Sequence, residues 1–222
     1  MNLVKSLEVF NPNSIKCPIH IIGVGATGSS IAELLIRFGI KNITIWDDDI
    51  VESKNVANQI YTNVSIGKKK TEALTNILTE INPDIDITQN GYYNGEYISG
   101  YVFLCVDNIE IHKLFSKSNY INANIYGVFE TRLALLEGQS YYANWDNLEQ
   151  KDKMRAYQDF TNEEARENLL VGGCNEILSL VATVRTLASY TVANFVNVAN
   201  DNCDDVKNVI IVSPFKNYID AF

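Results

Sequence analysis

The ten residues Ile21-Ile22-Gly23-Val24-Gly25-Ala26-Thr27-Gly28-Ser29-Ser30 constrain this chain more than any other stretch. The apolar run Ile19–Ile22 before them reads as a buried strand. Ile31, Leu34, Leu35 and Phe38 after them recur at i, i+3, i+4 and i+7, one face of a helix, and Gly39 is placed to stop it. Residues 43–47 read as a second strand that ends in acid. Strand, turn, helix, strand predicts a parallel pair joined by a right-handed crossover. Each glycine has a physical use: Gly23 for the tight turn, Gly25 for approach of backbone to a phosphate, Gly28 for close helix–strand packing. Ala26 and Thr27 then bring helix N-terminal N–H groups to the same anion. Asp47 follows Gly28 by 19 residues, near the spacing at which an acid meets a ribose. A nucleotide site is the expectation; the loop alone does not say which nucleotide.

The remaining pattern completes an α/β reading. Residues 50–69 lack periodicity and read as loop. Ala73, Leu74, Ile77, Leu78 and Ile81 share a helix face that Asn82-Pro83 ends. Residues 85–88 and 101–106 read as strands, with a helix from about Ile109. Residues 125–129, 132–136 and 139–143 read as three strands with short gaps, which favours antiparallel pairing. Residues 145–170 are charged and loosely helical without a strong apolar face, and read as a mobile crossing segment. A long apolar-striped helix is expected from Asn175 to about Ala199, opened by Cys174, and residues 209–212 form a last strand. The predicted class is a Rossmann-like, mostly parallel sheet with helices on both faces and an antiparallel extension in the C-terminal half. One domain spans residues 1–222: a nucleotide-binding half at 18–110, then antiparallel strands, crossing segment and long helix over 120–222.

The formal charge of −9 repels phosphate backbones and argues against general nucleic-acid binding. No apolar run is long enough for a membrane span, and the first residues lack the apolar core of a signal peptide. Four cysteines with no Cys-x-x-Cys pair suit free thiols in a reducing cytoplasm. His20 and His112 read as structural, with a surface helix position preferred for His112 over the alternative that, one helical turn after Asp107, it lines the site.

Downstream of Asp47 the motifs come in a specific order: Asp47-Asp48-Asp49, Asn55-Val56-Ala57-Asn58-Gln59, Gly67-Lys68-Lys69-Lys70, Ile81-Asn82-Pro83 and Cys105-Val106-Asp107-Asn108. Over residues 18–110, and more loosely to about 200, this set resembles the ThiF/MoeB/HesA superfamily of adenylating enzymes related to ubiquitin-activating enzymes. The resemblance implies attack of a carrier protein's C-terminal carboxylate on the α-phosphorus of ATP, with release of pyrophosphate. It implies that Asp47 holds the ribose, that Asn55 and Lys70 reach the phosphates, that Asp107 binds Mg²⁺ and that Asp49 supports that site. Gly23, Gly25, Ala26, Thr27, Gly28, Asn58 and Gln59 complete the implied ATP site. The implied partner is a ubiquitin-like or sulfur-carrier protein ending in Gly-Gly, reached beneath the crossing segment, and the implied assembly is a homodimer built on the C-terminal half.

Plainer uses stand beside these roles. Lys70 can be read, as the lesser alternative, as a solvated first-turn lysine with Lys69 the fallback for its role, Asp107 as a helix cap and Asn55 as an ordinary loop asparagine that only the motif lifts above that. Arg132 either guides a carrier tail or pairs with Glu130 or Glu137. Cys174 is either a thiolate at a helix N-terminus, or a small core residue or the remnant of a lost metal site, and the second, plainer reading is preferred. Where the superfamily has Asn-x-x-Arg, this chain has Asn58, and an amide brings no charge to replace a guanidinium fork. Lys68, Lys69 and Arg132 are the candidate substitutes. Three functions are therefore ranked: an adenylyltransferase; a catalytically weak nucleotide-binding scaffold or partner subunit; and a nicotinamide-dependent oxidoreductase, in which the motifs after Asp47 would have no role.

Overall fold

The structure is a computed structural model that describes residues 1–167 and 178–222. Its strands are β1 (Ile19–Ile22), β2 (Asn42–Trp46), β3 (Asp86–Asn90), β4 (Gly100–Leu104), β5 (Ile125–Leu133), β6 (Gly138–Asn144), β7 (Val209–Ser213) and β8 (Tyr218–Ala221). They form one sheet in the order β3-β2-β1-β4-β5-β6-β7-β8. The first five strands in that order run parallel, and β6, β7 and β8 are added antiparallel. The helices are α1 (Ala26–Arg37), α2 (Lys70–Ile81), α3 (Ile109–Ser118), α4 (Leu148–Tyr157), α5 (Asn162–Glu167) and α6 (Val181–Ala199). This is the expected fold class.

Both faces of the sheet are covered, and the pleat sorts the side chains. Ile19 and Ile21 of β1 and Phe103 of β4 pack with Ile31 and Leu35 of α1, Leu74 of α2 and Phe195 of α6. Ile22 and the neighbouring Val102 and Leu104 go the other way, to Phe115 of α3, Trp145 and Met154 of α4. A strand buried on both faces reads as a continuous apolar run, which is why the segment before the glycine turn shows no alternation.

Four expectations are corrected. Residues 132–136 are not a separate strand: Arg132 and Leu133 end β5, and Ala134 N–H donates to Glu137 O at 2.8 Å across the hairpin turn. The apolar residues of that turn mimic a strand. The crossing segment is helical as read, but its α4 has a docking face, packing on the sheet through buried Met154, with Lys151 Nζ donating to Tyr120 O at 2.8 Å. The long helix opens at Val181 after an extended Leu180, so it is not opened by Cys174, which itself lies outside the described residues. Strand β8 follows the expected last strand, and all four of its residues are exposed.

Candidate functional site

The parallel strands β2, β1, β4 and β5 all end on one edge of the sheet, where α/β folds bind ligands. A cleft of about 1380 Å³ lies there, lined by Gly23, Gly25, Ala26, Thr27, Asp47, Asp49, Asn55, Asn58, Gln59, Lys70, Asp107 and Arg132. Among the expected site residues, Gly28 lies beneath the cleft instead of on it. A Cβ on Gly28 would stand 1.9 Å from Gly23 O, whereas one on Gly25 would meet nothing within 4 Å. The two glycines thus have different work: Gly28 lets α1 close on the turn, and Gly25 leaves open space beside the backbone. Gly23 adopts φ +86, which any Cβ would strain.

Two side chains fix this turn. Asp47 Oδ2 accepts from Val24 N–H at 2.9 Å, and Asp47 Oδ1 from Asp49 N–H at 2.9 Å. Tyr61, buried, donates its hydroxyl to Val24 O at 2.7 Å. Burial raises the Asp47 carboxyl above its ordinary value, against the opposing pull of Lys70 and the two N–H donors. Burial likewise raises the Tyr61 phenol. Lys70, at the start of α2, is buried, and its Nζ donates to Asp49 Oδ2 at 2.7 Å. It is therefore held in the cleft and is not a solvated surface lysine. Asn55 is buried in a capping turn, where its Oδ1 accepts from Glu52 N–H at 2.8 Å. Asn58 donates to Ser179 Oγ at 2.7 Å, which commits its amide to the segment leading into α6. Gln59 Oε1 is buried without a hydrogen-bond partner.

The carboxylates of Asp47, Asp48 and Asp49 lie within 4.8 Å of one another; Asp107 is not part of that group. Asp107 lies in the turn between β4 and α3, where Asn108, not Asp107, is the cap: its side chain accepts from Glu110 N–H at 3.1 Å. His112 is buried one turn into α3, which corrects the preferred surface position, and it lines the cleft as the alternative had it. Its Nε2 donates to Val106 O at 2.9 Å, and its Nδ1 lies 3.3 Å from Glu130 Oε2. His20 has the structural role expected, accepting from Trp46 Nε1 at 3.3 Å, and burial lowers it to about 4.

Glu130 was not expected in the site beyond a pairing with Arg132. It is fully buried, bonded by Arg132 Nε at 2.7 Å and by Gln158 Nε2 at 2.6 Å. Burial alone would raise its carboxyl; His112, Arg132 and Gln158 more than offset this and hold it at about 2. The one visible signal is an acid in the middle of an otherwise apolar strand. Arg132 also lies over the rings of Tyr141 and Phe160, at 4.7 and 4.9 Å from their centroids.

The ThiF family matches residues 15–217, and the chain belongs to that family. Ubiquitin-like modifier-activating enzyme 5 of Drosophila persimilis is 37% identical over 92 residues, covering 41% of this chain and 23% of the relative. The protein of the same name from Caenorhabditis briggsae is 30% identical over 128 residues, covering 50% of this chain and 29% of the relative. The chain thus spans about a quarter of the length of these curated relatives. Among solved structures, PaaA superposes with a TM-score of 0.73 at 15% identity, over 95% of this chain and 74% of that one. E. coli MccB, solved with ATP, superposes with a TM-score of 0.72 at 14% identity, over 95% and 65%. These superpositions show the fold. No described helix is long and apolar enough to cross a membrane.

Proposed function

We propose that this chain is an ATP-dependent adenylyltransferase that activates the C-terminal carboxylate of a ubiquitin-like or sulfur-carrier protein as an acyl adenylate. The observation that carries this reading is the single cleft edge on which the Gly25 turn, Asp47, Lys70 and Asp107 stand together. The names of the curated relatives and the ATP bound to MccB support it. A carboxylate oxygen forms a bond to the α-phosphorus, the bond to the β-phosphate oxygen breaks, and pyrophosphate leaves. The N–H groups at the head of α1 and the Lys70 ammonium face charge that builds on the phosphates. Asp47 keeps its hold on the turn while accepting from a ribose hydroxyl. Asn55 and Gln59 offer side-chain amides to the same ligand.

The oxygen donors of this edge fit a hard divalent cation, with Asp107 as the residue that would hold Mg²⁺. When bound, the cation supplies charge neutralisation to the phosphates. The domain reading of residues 1–222 as one unit and the homodimer belong to the same proposal; sedimentation equilibrium near twice 24.9 kDa is expected.

Melting the purified protein with Mg-ATP, and separately with NAD⁺ and NADH, tests the reading. Stabilisation by Mg-ATP alone, lost in Lys70→Ala and Asp107→Ala, is the expected result. Stabilisation by a nicotinamide nucleotide alone would refute it. The Asn58–Ser179 bond keeps the scaffold as a second reading, because that amide is committed within the protein. Mg-ATP binding without pyrophosphate exchange across a panel of Gly-Gly carriers would favour the scaffold.

A further inference from the structure

The cleft is larger than one nucleotide requires. Its volume of about 1380 Å³ exceeds the roughly 300–1,000 Å³ usual for a single small ligand. Its functional groups are also ordered across the sheet. Asp47 follows β2, the glycine turn follows β1, Asp107 follows β4, and Arg132 lies at the end of β5. Neighbouring strands are about 4.8 Å apart. Arg132 is thus one strand beyond the Asp107 turn and roughly 14 Å across the sheet from the strand that carries Asp47.

Arg132 is the one lysine or arginine on the described lining that does not come from residues 50–70, and Lys54 and Lys70 of that segment are already paired with Glu52 and Asp49. Its guanidinium is held on three sides: Glu130 meets the Nε edge, and Tyr141 and Phe160 lie against it. Among the described residues Glu130 is its only hydrogen-bond partner, and Nη2 is buried without a hydrogen bond of good geometry. The Glu130 carboxylate is itself shared with Gln158 and faced by His112, so it is satisfied by more than Arg132. Glu130 Oε1 thus takes Nε and lies against the buried Nη2, and Nη1 is the guanidinium nitrogen left to donate a charge-assisted hydrogen bond to a carboxylate, on a planar group held rigid by its neighbours. Leu133, Ala134, Leu178 and Leu180 on the same lining offer apolar walls to the chain behind that carboxylate.

Resting on the adenylation reading, we infer that Arg132 receives the carboxylate of the acyl substrate, presented by Glu130 and two aromatic faces on the side of Asp107 away from the ribose acid. It is a specificity-determining residue: it selects a free carboxylate over its amide and sets the attacking oxygen beside the α-phosphate. Glu130 is the positioning residue. Through Arg132 it holds the carboxylate anchor, and through His112 and Val106 O it faces the Asp107 turn.

The test uses a short fluorescein-labelled peptide ending in Gly-Gly, as free acid and as C-terminal amide, with Mg²⁺ and a non-hydrolysable ATP analogue. Anisotropy is expected to favour the acid by about tenfold to a hundredfold in the wild type, the worth of a charged hydrogen-bonded pair. Arg132→Met abolishes this preference while leaving stabilisation by Mg-ATP unchanged, and Arg132→Lys retains part of it. Because Arg132→Met strands the Glu130 charge, the double variant Glu130→Gln/Arg132→Met removes both charges together and must give the same loss. Equal binding of acid and amide by the wild type, including no detectable binding of either, overturns the inference. So does a preference that survives in the double variant, or loss of the Mg-ATP response in either Met variant, which would assign Arg132 to the phosphates. Absence of any Mg-ATP response in the wild type instead refutes the nucleotide reading, and a lost acid preference in the variants then still identifies Arg132 as a carboxylate site.

Discussion

The two sides of the cleft are built by different means. On the β1–β2 side the work is done by backbone. A turn with φ +86 at Gly23, close packing at Gly28 and the head of α1 make the surface, and Asp47 and Tyr61 fasten it through peptide groups. On the β5 side the work is done by side chains gathered from separate elements: Glu130 and Arg132 from β5, His112 from α3, Gln158 just after α4. Backbone construction is short in sequence and depends on what a residue lacks. Side-chain construction spans tens of residues and depends on a buried charge being fully answered.

That contrast can be broken from either side. The largest effect is expected from Glu130→Ala, which leaves partly buried Arg132 and buried His112 without the carboxylate they face; a loss of about 3–5 kcal/mol is expected, read by urea denaturation. A small loss would mean that water replaces the carboxylate and the side is not a closed network. Next is a paired test of the glycines. Gly28→Ala forces its Cβ onto Gly23 O and costs about 1–3 kcal/mol. Gly25→Ala has open space, changes stability by less than about 1 kcal/mol and is expected to lose Mg-ATP stabilisation. Equal stability losses for the two would erase the distinction between packing and approach.

Acid unfolding separates the sides by pH. His20 is lowered from 6.5 to about 4, so the stability of its neutral form is fully present above pH 6.5 and is lost as pH falls from there towards 4. Glu130 is lowered from 4.5 to about 2, so its contribution is present above pH 4.5 and is lost between there and 2. His20→Asn should therefore flatten the upper part of the stability–pH curve, and Glu130→Gln the lower part. The smallest effect is expected from Arg185→Met. It breaks a half-exposed pair with Glu33 between α1 and α6, outside both sides of the cleft, and should cost about 0.2–1 kcal/mol.

The same contrast explains what could be read in advance. The β1–turn–α1–β2 unit was legible because strand burial, helix period and glycine spacing all fall within 30 residues. Asp47 was legible because it ends a strand at a fixed interval from the turn. The Glu130 group was not, since no local pattern says that residues 112, 130 and 158 meet. The start of α6 was misplaced because Leu180 stands in helical spacing with Val184 and Leu187 while its own backbone is extended. Strand β8 was missed because its four exposed residues give no alternation of buried and exposed positions to detect.

Val24 carries a consequence for the energetics of ligand capture. Its N–H is taken by Asp47 and its carbonyl by Tyr61, so the peptide groups before the head of α1 are already satisfied, while the next donors have no protein partner among the described residues. The cradle is shaped during folding and loses little further freedom when an anion arrives. Capture should therefore show a small entropic penalty in calorimetry, and Tyr61→Phe, which frees one side of that peptide, should make the penalty larger while leaving every ligand-facing atom in place.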